Sequence, residues 1–106
     1  MVGLVEELLA DPAIEVVDIA VPVSEQREIL LAALQAGKHV LAQKPLATSV
    51  VEAQEMADKA RDAGLIVGVN QQLRFDEGMA AAHMMVNKGW IGEISGFSIT
   101  VNLDTP

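Results

Sequence analysis

Three short apolar runs, Val16-Val17-Asp18-Ile19-Ala20-Val21, His39-Val40-Leu41-Ala42 and Leu65-Ile66-Val67-Gly68-Val69, recur along the chain with a helix-period segment between each pair. Runs this short, this rich in branched residues and closed by turn residues read as buried strands. Alternating them with helices gives the βαβαβ pattern of a doubly wound parallel sheet, whose crossovers are right-handed in nearly all cases. The fold class expected is therefore α/β, a partial parallel sheet of three strands with helices.

The intervening segments carry their own punctuation. Gly3 to Ala10 reads as a short helix that stops at Asp11-Pro12, because the residue before proline is pushed out of the helical region. Ser24 is placed to cap a helix through Leu34, with Ile29, Leu30, Ala33 and Leu34 toward the sheet and Gly37 as a left-handed terminator. Ser49 and Glu52 form a capping-box pattern, predicting a helix from near Val50 to Gly64 that buries Val51, Met56, Ala57 and Ala60. After Asn70 comes a polar stretch, Gln71-Gln72-Leu73-Arg74-Phe75, and then a helix from about Asp76 to Asn87 ended by Lys88-Gly89. Glu93 to Leu103 alternates apolar and polar residues and is expected to be an amphipathic strand. The last helix and strand differ in character from what precedes them, so residues 1–72 and 73–106 are expected to belong to separate domains.

Composition narrows the partners. Apolar residues make up 51% of the chain and aromatics only 3%, so the core is aliphatic, as suits helices on a parallel sheet. Seven basic against fifteen acidic residues give a formal net charge of −8, which opposes the counterion release that binding to nucleic acid or an anionic membrane requires. With no cysteine, thiolate metal sites, disulfides and thiol nucleophiles are excluded for these residues, and His39 and His83 lack metal-ligand spacing. No metal site is expected. The acidic start does not read as a signal peptide, and no apolar run approaches the roughly 20 residues of a membrane span. A cytoplasmic location is the expectation.

In a parallel sheet every strand ends on one side, so Pro22, then Gln43-Lys44-Pro45, then Asn70 with Gln71, Gln72 and Arg74 converge on one rim. Ligands of open α/β sheets bind at that rim. Lys44 brings the one ammonium among the strand ends themselves, a group able to hydrogen-bond an alcohol oxygen and stabilise negative charge as it develops. Phe75, Met79 and Trp90 read as packing residues, and His39 as structural.

These residues resemble the Gfo/Idh/MocA family of NAD(P)-dependent oxidoreductases. The similarity is carried by Val17-Asp18-Ile19-Ala20-Val21-Pro22, Ala36-Gly37-Lys38-His39-Val40-Leu41, Gln43-Lys44-Pro45-Leu46-Ala47, Val67-Gly68-Val69-Asn70, Arg74-Phe75 and Gly89-Trp90-Ile91-Gly92-Glu93-Ile94. The resemblance implies the second half of a Rossmann domain followed by the start of an α/β substrate and oligomerisation domain. It implies NAD or NADP as cofactor, a sugar or polyol as substrate, and hydride transfer between the two. Residue by residue, the family's Glu-Lys-Pro motif falls on Gln43-Lys44-Pro45, which makes Lys44 the catalytic and substrate-binding residue and places Pro22, Gln43, Lys44, Pro45 and Asn70 along the cofactor. Arg74 is carried over as a substrate contact, with anchorage of the domain junction through a carboxylate as the competing role.

The chain departs from the family in three places. Val21 and Val23 replace the polar flanks of the turn at Pro22, Gln26 stands where a histidine is common, and Gln43 replaces a glutamate. Neither the glycine-rich phosphate turn nor the charged residue that selects NAD or NADP occurs before Val16. Two expectations follow: that residues 1–106 are a piece of such an oxidoreductase and inactive alone, or that they form a non-catalytic half-Rossmann module. In either case the apolar edge at Val16 to Val21 or the segment from Glu93 to Leu103 is expected to drive homo-oligomerisation.

Overall fold

The computed structural model describes residues 2–100, which divide into two compact units, one ending at Gln71 and the other beginning at Gln72. In the first unit, α1 (Val2–Ala10) leads to β1 (Val16–Ile19), α2 (Val23–Gln35), β2 (His39–Gln43), α3 (Val50–Asp62) and β3 (Val67–Asn70). The strands form one parallel sheet in the order β1-β2-β3, with Val17 opposite Val40 and Ala42 opposite Val69. Both crossovers advance in one direction, so α2 and α3 cover the same face of the sheet.

That face is the core. Val17, Ile19, Val40 and Ala42 point into it from the sheet, Leu30, Ala33 and Leu34 from α2, and Met56 and Ala60 from α3. The alternate strand positions are less covered: Val16 is 58% exposed and Leu41 39%. The expectation of fully buried strands is thus corrected, since α2 and α3 cover the same single face. In α3 the expected burial of Val51 and Ala57 also fails. Val51 is 79% exposed because it sits five residues, or about 140° around the helix, from the buried Met56.

Local chemistry explains the element ends. At Gly37, φ is +75°, the left-handed region that a side chain disfavours, and the turn is closed by Gly37 N–H to the Leu34 carbonyl at 3.0 Å and Lys38 N–H to the Ala33 carbonyl at 2.9 Å. The same pair of bonds follows α3 at Gly64 and Leu65. Ser49 caps α3 by accepting from the Glu52 N–H at 3.2 Å. The Glu52 carboxylate reaches back one residue further than a capping box requires, accepting from the Thr48 N–H at 3.1 Å and hydroxyl at 2.5 Å. Those bonds, the hydroxyl's first, hold the carboxyl below its usual range. Ser24 does not cap α2. Pro22 occupies the cap position, and its carbonyl accepts from the N–H groups of Glu25 at 2.9 Å and Gln26 at 3.2 Å.

Two longer-range ties join the elements. Arg27 donates through its guanidinium to Glu55 at 2.6 Å, linking α2 to α3; with both side chains more than a third exposed, solvent screens the pair and it adds little to stability. Lys38 is buried, and its Nζ donates to the Asp11 carbonyl at 2.7 Å, just past the end of α1, where the helix dipole favours a cation.

The second unit holds a 3-10 turn (Gln72–Phe75) and α4 (Glu77–Asn87). Asp76 starts α4 by accepting from the N–H groups of Gly78 at 3.0 Å and Met79 at 3.1 Å. After α4, Lys88 Nζ lies 5.3 Å from the centre of the Trp90 ring. The expected amphipathic strand is not formed in its described part: Glu93 to Thr100 join no ladder among the described residues, and residues 101–103 lie outside them. Alternation is met there, but a strand exists only when a neighbour takes up its backbone hydrogen bonds.

Candidate functional site

The carboxyl ends of the three strands place the expected site residues of the first unit along one rim. At β1, Pro22 opens α2 and is exposed. At β2, the strand runs to Gln43, and exposed Lys44 and Pro45 follow, joined by a cis peptide. At β3, Asn70 is the last strand residue and stands opposite Gln43 in the parallel register.

That register has a chemical consequence. Asn70 Nδ2 donates to Gln43 Oε1 at 3.2 Å. Because Gln43 contributes its carbonyl oxygen, a glutamate at this position would accept the same bond, so the departure from the family motif preserves the contact. Each carboxamide retains further hydrogen-bonding capacity, Nε2 on Gln43 and Oδ1 on Asn70. Lys44 takes part in neither salt bridge found among the described residues. The rim therefore offers an exposed ammonium and two half-used carboxamides, a donor set that fits the hydroxyl-rich ribose and carboxamide end of a nicotinamide cofactor.

Arg74 belongs to the second unit, on the 3-10 turn, where it is exposed. His39 is structural, as expected: its Nδ1 accepts from the Ile66 N–H at 3.0 Å, beside the start of β3. Among the described residues no group of three or more His, Cys, Asp or Glu side chains is arranged to hold a metal ion. No helix among them is long and apolar enough to cross a membrane.

One residue of the rim was underrated by its sequence context. Gln26 is 1% exposed and donates through Nε2 to the carbonyls of Gln43, Pro45 and Leu46 at 3.1, 3.0 and 2.8 Å. The available signal was its spacing, since Gln26, Leu30, Ala33 and Leu34 share one helical face and only Gln26 on that face is polar.

A parallel βαβαβ unit with polar side chains gathered at its carboxyl rim is one half of a doubly wound α/β domain, a class that binds its ligands at that rim. Comparison with known proteins agrees. The model of an oxidoreductase family with an NAD-binding Rossmann fold matches residues 3–71, and the chain belongs to this Gfo/Idh/MocA family. It is 42% identical over 88 residues to a 1,5-anhydro-D-fructose reductase of Ensifer adhaerens, covering 83% of this chain and 26% of that protein. It is 29% identical over 101 residues to an NADP(+)-dependent scyllo-inositol 2-dehydrogenase of Bacillus subtilis, covering 95% of this chain and 28% of that protein. Among solved structures, an NAD-binding oxidoreductase from Klebsiella pneumoniae superimposes with a TM-score of 0.78 at 40% identity, over 82% of this chain and 23% of that one. The chain spans about a quarter of the length of the curated relatives it matches.

Proposed function

We propose that residues 1–72 supply the carboxyl half of the cofactor-binding domain of an NAD(P)-dependent oxidoreductase acting on a sugar or polyol hydroxyl, with residues 73–106 opening its substrate-side domain. The observation that carries this reading is exposed Lys44, which directly follows Gln43 with its carboxamide bonded to Asn70, at the rim of a sheet from a family of oxidoreductases. The names of relatives, a reductase of an anhydro sugar and dehydrogenases of an inositol, support the substrate class.

When bound, the nicotinamide supplies the acceptor for a hydride from the carbinol carbon. Lys44 binds the substrate hydroxyl and holds its ammonium against the oxygen, so the negative charge that develops there as the hydroxyl gives up its proton to solvent is met by a fixed positive group. The Gln43 and Asn70 carboxamides orient the sugar part of the cofactor by donating and accepting hydrogen bonds, and Pro22 and Pro45 shape the wall beside it. Arg74 contacts the substrate side.

Titration of the 106-residue chain with NAD and NADP separates the cofactor-binding role of this half from that of the rest of the fold. No glycine-rich turn occurs in the sequence to grip the pyrophosphate, so the chain alone is expected to bind either cofactor only weakly, in or above the millimolar range, a free energy no more favourable than about −4 kcal/mol. Fluorescence or calorimetric titration reads it directly. Tight binding by the 106 residues would overturn the assignment of the phosphate grip to a separate segment.

A second reading, a non-catalytic module that associates with itself, is favoured by one observation. Among the described residues β1 pairs only with β2, and Val16 lies exposed on the face away from α2 and α3. An unpaired edge of this kind pairs with another chain unless it is covered. A homodimer or higher assembly is expected in sedimentation at micromolar concentration, and a monomeric profile counts against it.

A further inference from the structure

We propose that Gln26 is the positioning residue of the Lys44 loop: its buried carboxamide holds the backbone of residues 43–46 in the shape that turns the lysine outward to the rim. This rests on the reading of Lys44 given above.

The geometry is specific. Gln26 and Lys38 are the two polar or charged side chains found buried among the described residues, and Gln26 is the more deeply buried. It lies one helical turn after Pro22, on the face of α2 that packs on the sheet. Its two amide hydrogens serve three carbonyls, those of Gln43, Pro45 and Leu46, so one hydrogen is shared. The acceptors bracket Lys44 on both sides. The loop is wrapped around the carboxamide, and the one side chain that leaves it as a cation, Lys44, is exposed.

Only a donor of this reach suits the place. A methionine has the same length and no N–H, and would leave three carbonyls turned toward an apolar group. A glutamate would set a carboxylate against them. A histidine ring offers one N–H at similar reach, enough to hold part of the loop. Gln26, buried under the loop, acts on the reaction through Lys44 and not by touching substrate or cofactor. It also ties the end of β1, through Pro22 and the first turn of α2, to the end of β2, so two of the three rim clusters share one anchor.

The test is backbone 15N relaxation on the 106-residue chain. In the wild type, the amides of Lys44, Leu46 and Ala47 are expected at rigid order parameters of about 0.85; in Gln26→Met they fall toward about 0.6, and Gln26→His recovers most of the loss. Leu30, Ala33 and Met56, in the core, stay rigid throughout. Loop order unchanged in Gln26→Met, or no recovery in Gln26→His, overturns the proposal. Should Gln26→Met fail to fold, the wild type decides alone: the Gln26 side-chain protons must exchange with solvent far more slowly than those of exposed Gln35, and equal exchange overturns the proposal. Lys44→Met serves as the parallel variant. If it abolishes turnover of the oxidoreductase while Gln26→Met leaves the loop ordered, the positioning role falls and the Lys44 reading stands. If Gln26→Met loosens the loop yet Lys44→Met leaves turnover intact, the Lys44 reading falls and the positioning role stands. Where both hold, Gln26→Met lowers kcat by about 10–100-fold through misplacement of the ammonium.

Discussion

Replacing Lys44 with methionine is expected to lower kcat of the oxidoreductase that carries this segment by about 10²–10⁴-fold, the range for loss of a positioned proton donor or charge stabiliser. Methionine retains the length and apolar stem of lysine and removes only the ammonium. Because Lys44 is exposed and contributes nothing to the buried cluster, folding should be untouched. Arginine is a poor rescue at this position, since a planar guanidinium cannot replace a compact point charge against a single alcohol oxygen. Steady-state rates with a polyol and NAD(P), read by nicotinamide absorbance, decide the matter. An unchanged kcat in a folded Lys44→Met protein would remove Lys44 from the reaction.

The largest effect on stability is expected at Leu30. Its side chain is 0% exposed, on the buried face of α2, and belongs to an aliphatic cluster with no aromatic ring to absorb a gap. Leu30→Ala removes buried methyl groups and leaves a cavity, at a cost of about 2–5 kcal/mol. Domains of this size are held by about 5–15 kcal/mol in all, so the loss is a large part of the total. Each kcal/mol lowers Tm by about 4–8 °C in a domain this small, which puts the expected fall at roughly 10 °C or more by calorimetry or circular dichroism. Val51→Ala is the control, because that side chain is mostly in water and its loss should stay within about 0.5 kcal/mol. Equal effects at the two positions would place the core elsewhere.

The contrast between Leu30 and Val51 marks how far a single sequence reaches. Both are aliphatic residues in segments of helical period, and both were expected to face the sheet. For α2 the polar face was well enough marked to set the helix's rotation correctly. For α3, Val50 and Val51 gave an apolar signal at the wrong phase, and only the packing of Met56 and Ala60 shows which side is buried. The rim shows the same division. Pro22, Gln43, Lys44, Pro45 and Asn70 were legible because each follows a strand, and parallel strands must end together. The Gln43 to Asn70 contact and the grip of Gln26 were not, because they join residues 17 to 27 positions apart whose pairing depends on register.

What the sequence by itself determined is the order of elements in the first unit and the side of the sheet on which the polar residues gather. Those follow from local rules: periodicity, caps, glycine terminators and the direction imposed by short helical crossovers. What only the tertiary structure decided is which surfaces are covered. It left Val16 and Leu41 on the less covered side of the sheet, left Glu93 to Thr100 outside any ladder among the described residues, and buried Gln26 against the backbone of the Lys44 loop. The physical reason is that burial and hydrogen-bond satisfaction belong to pairs of segments. A residue's own neighbours in sequence set its conformation, whereas its partners across the fold set what that conformation is for.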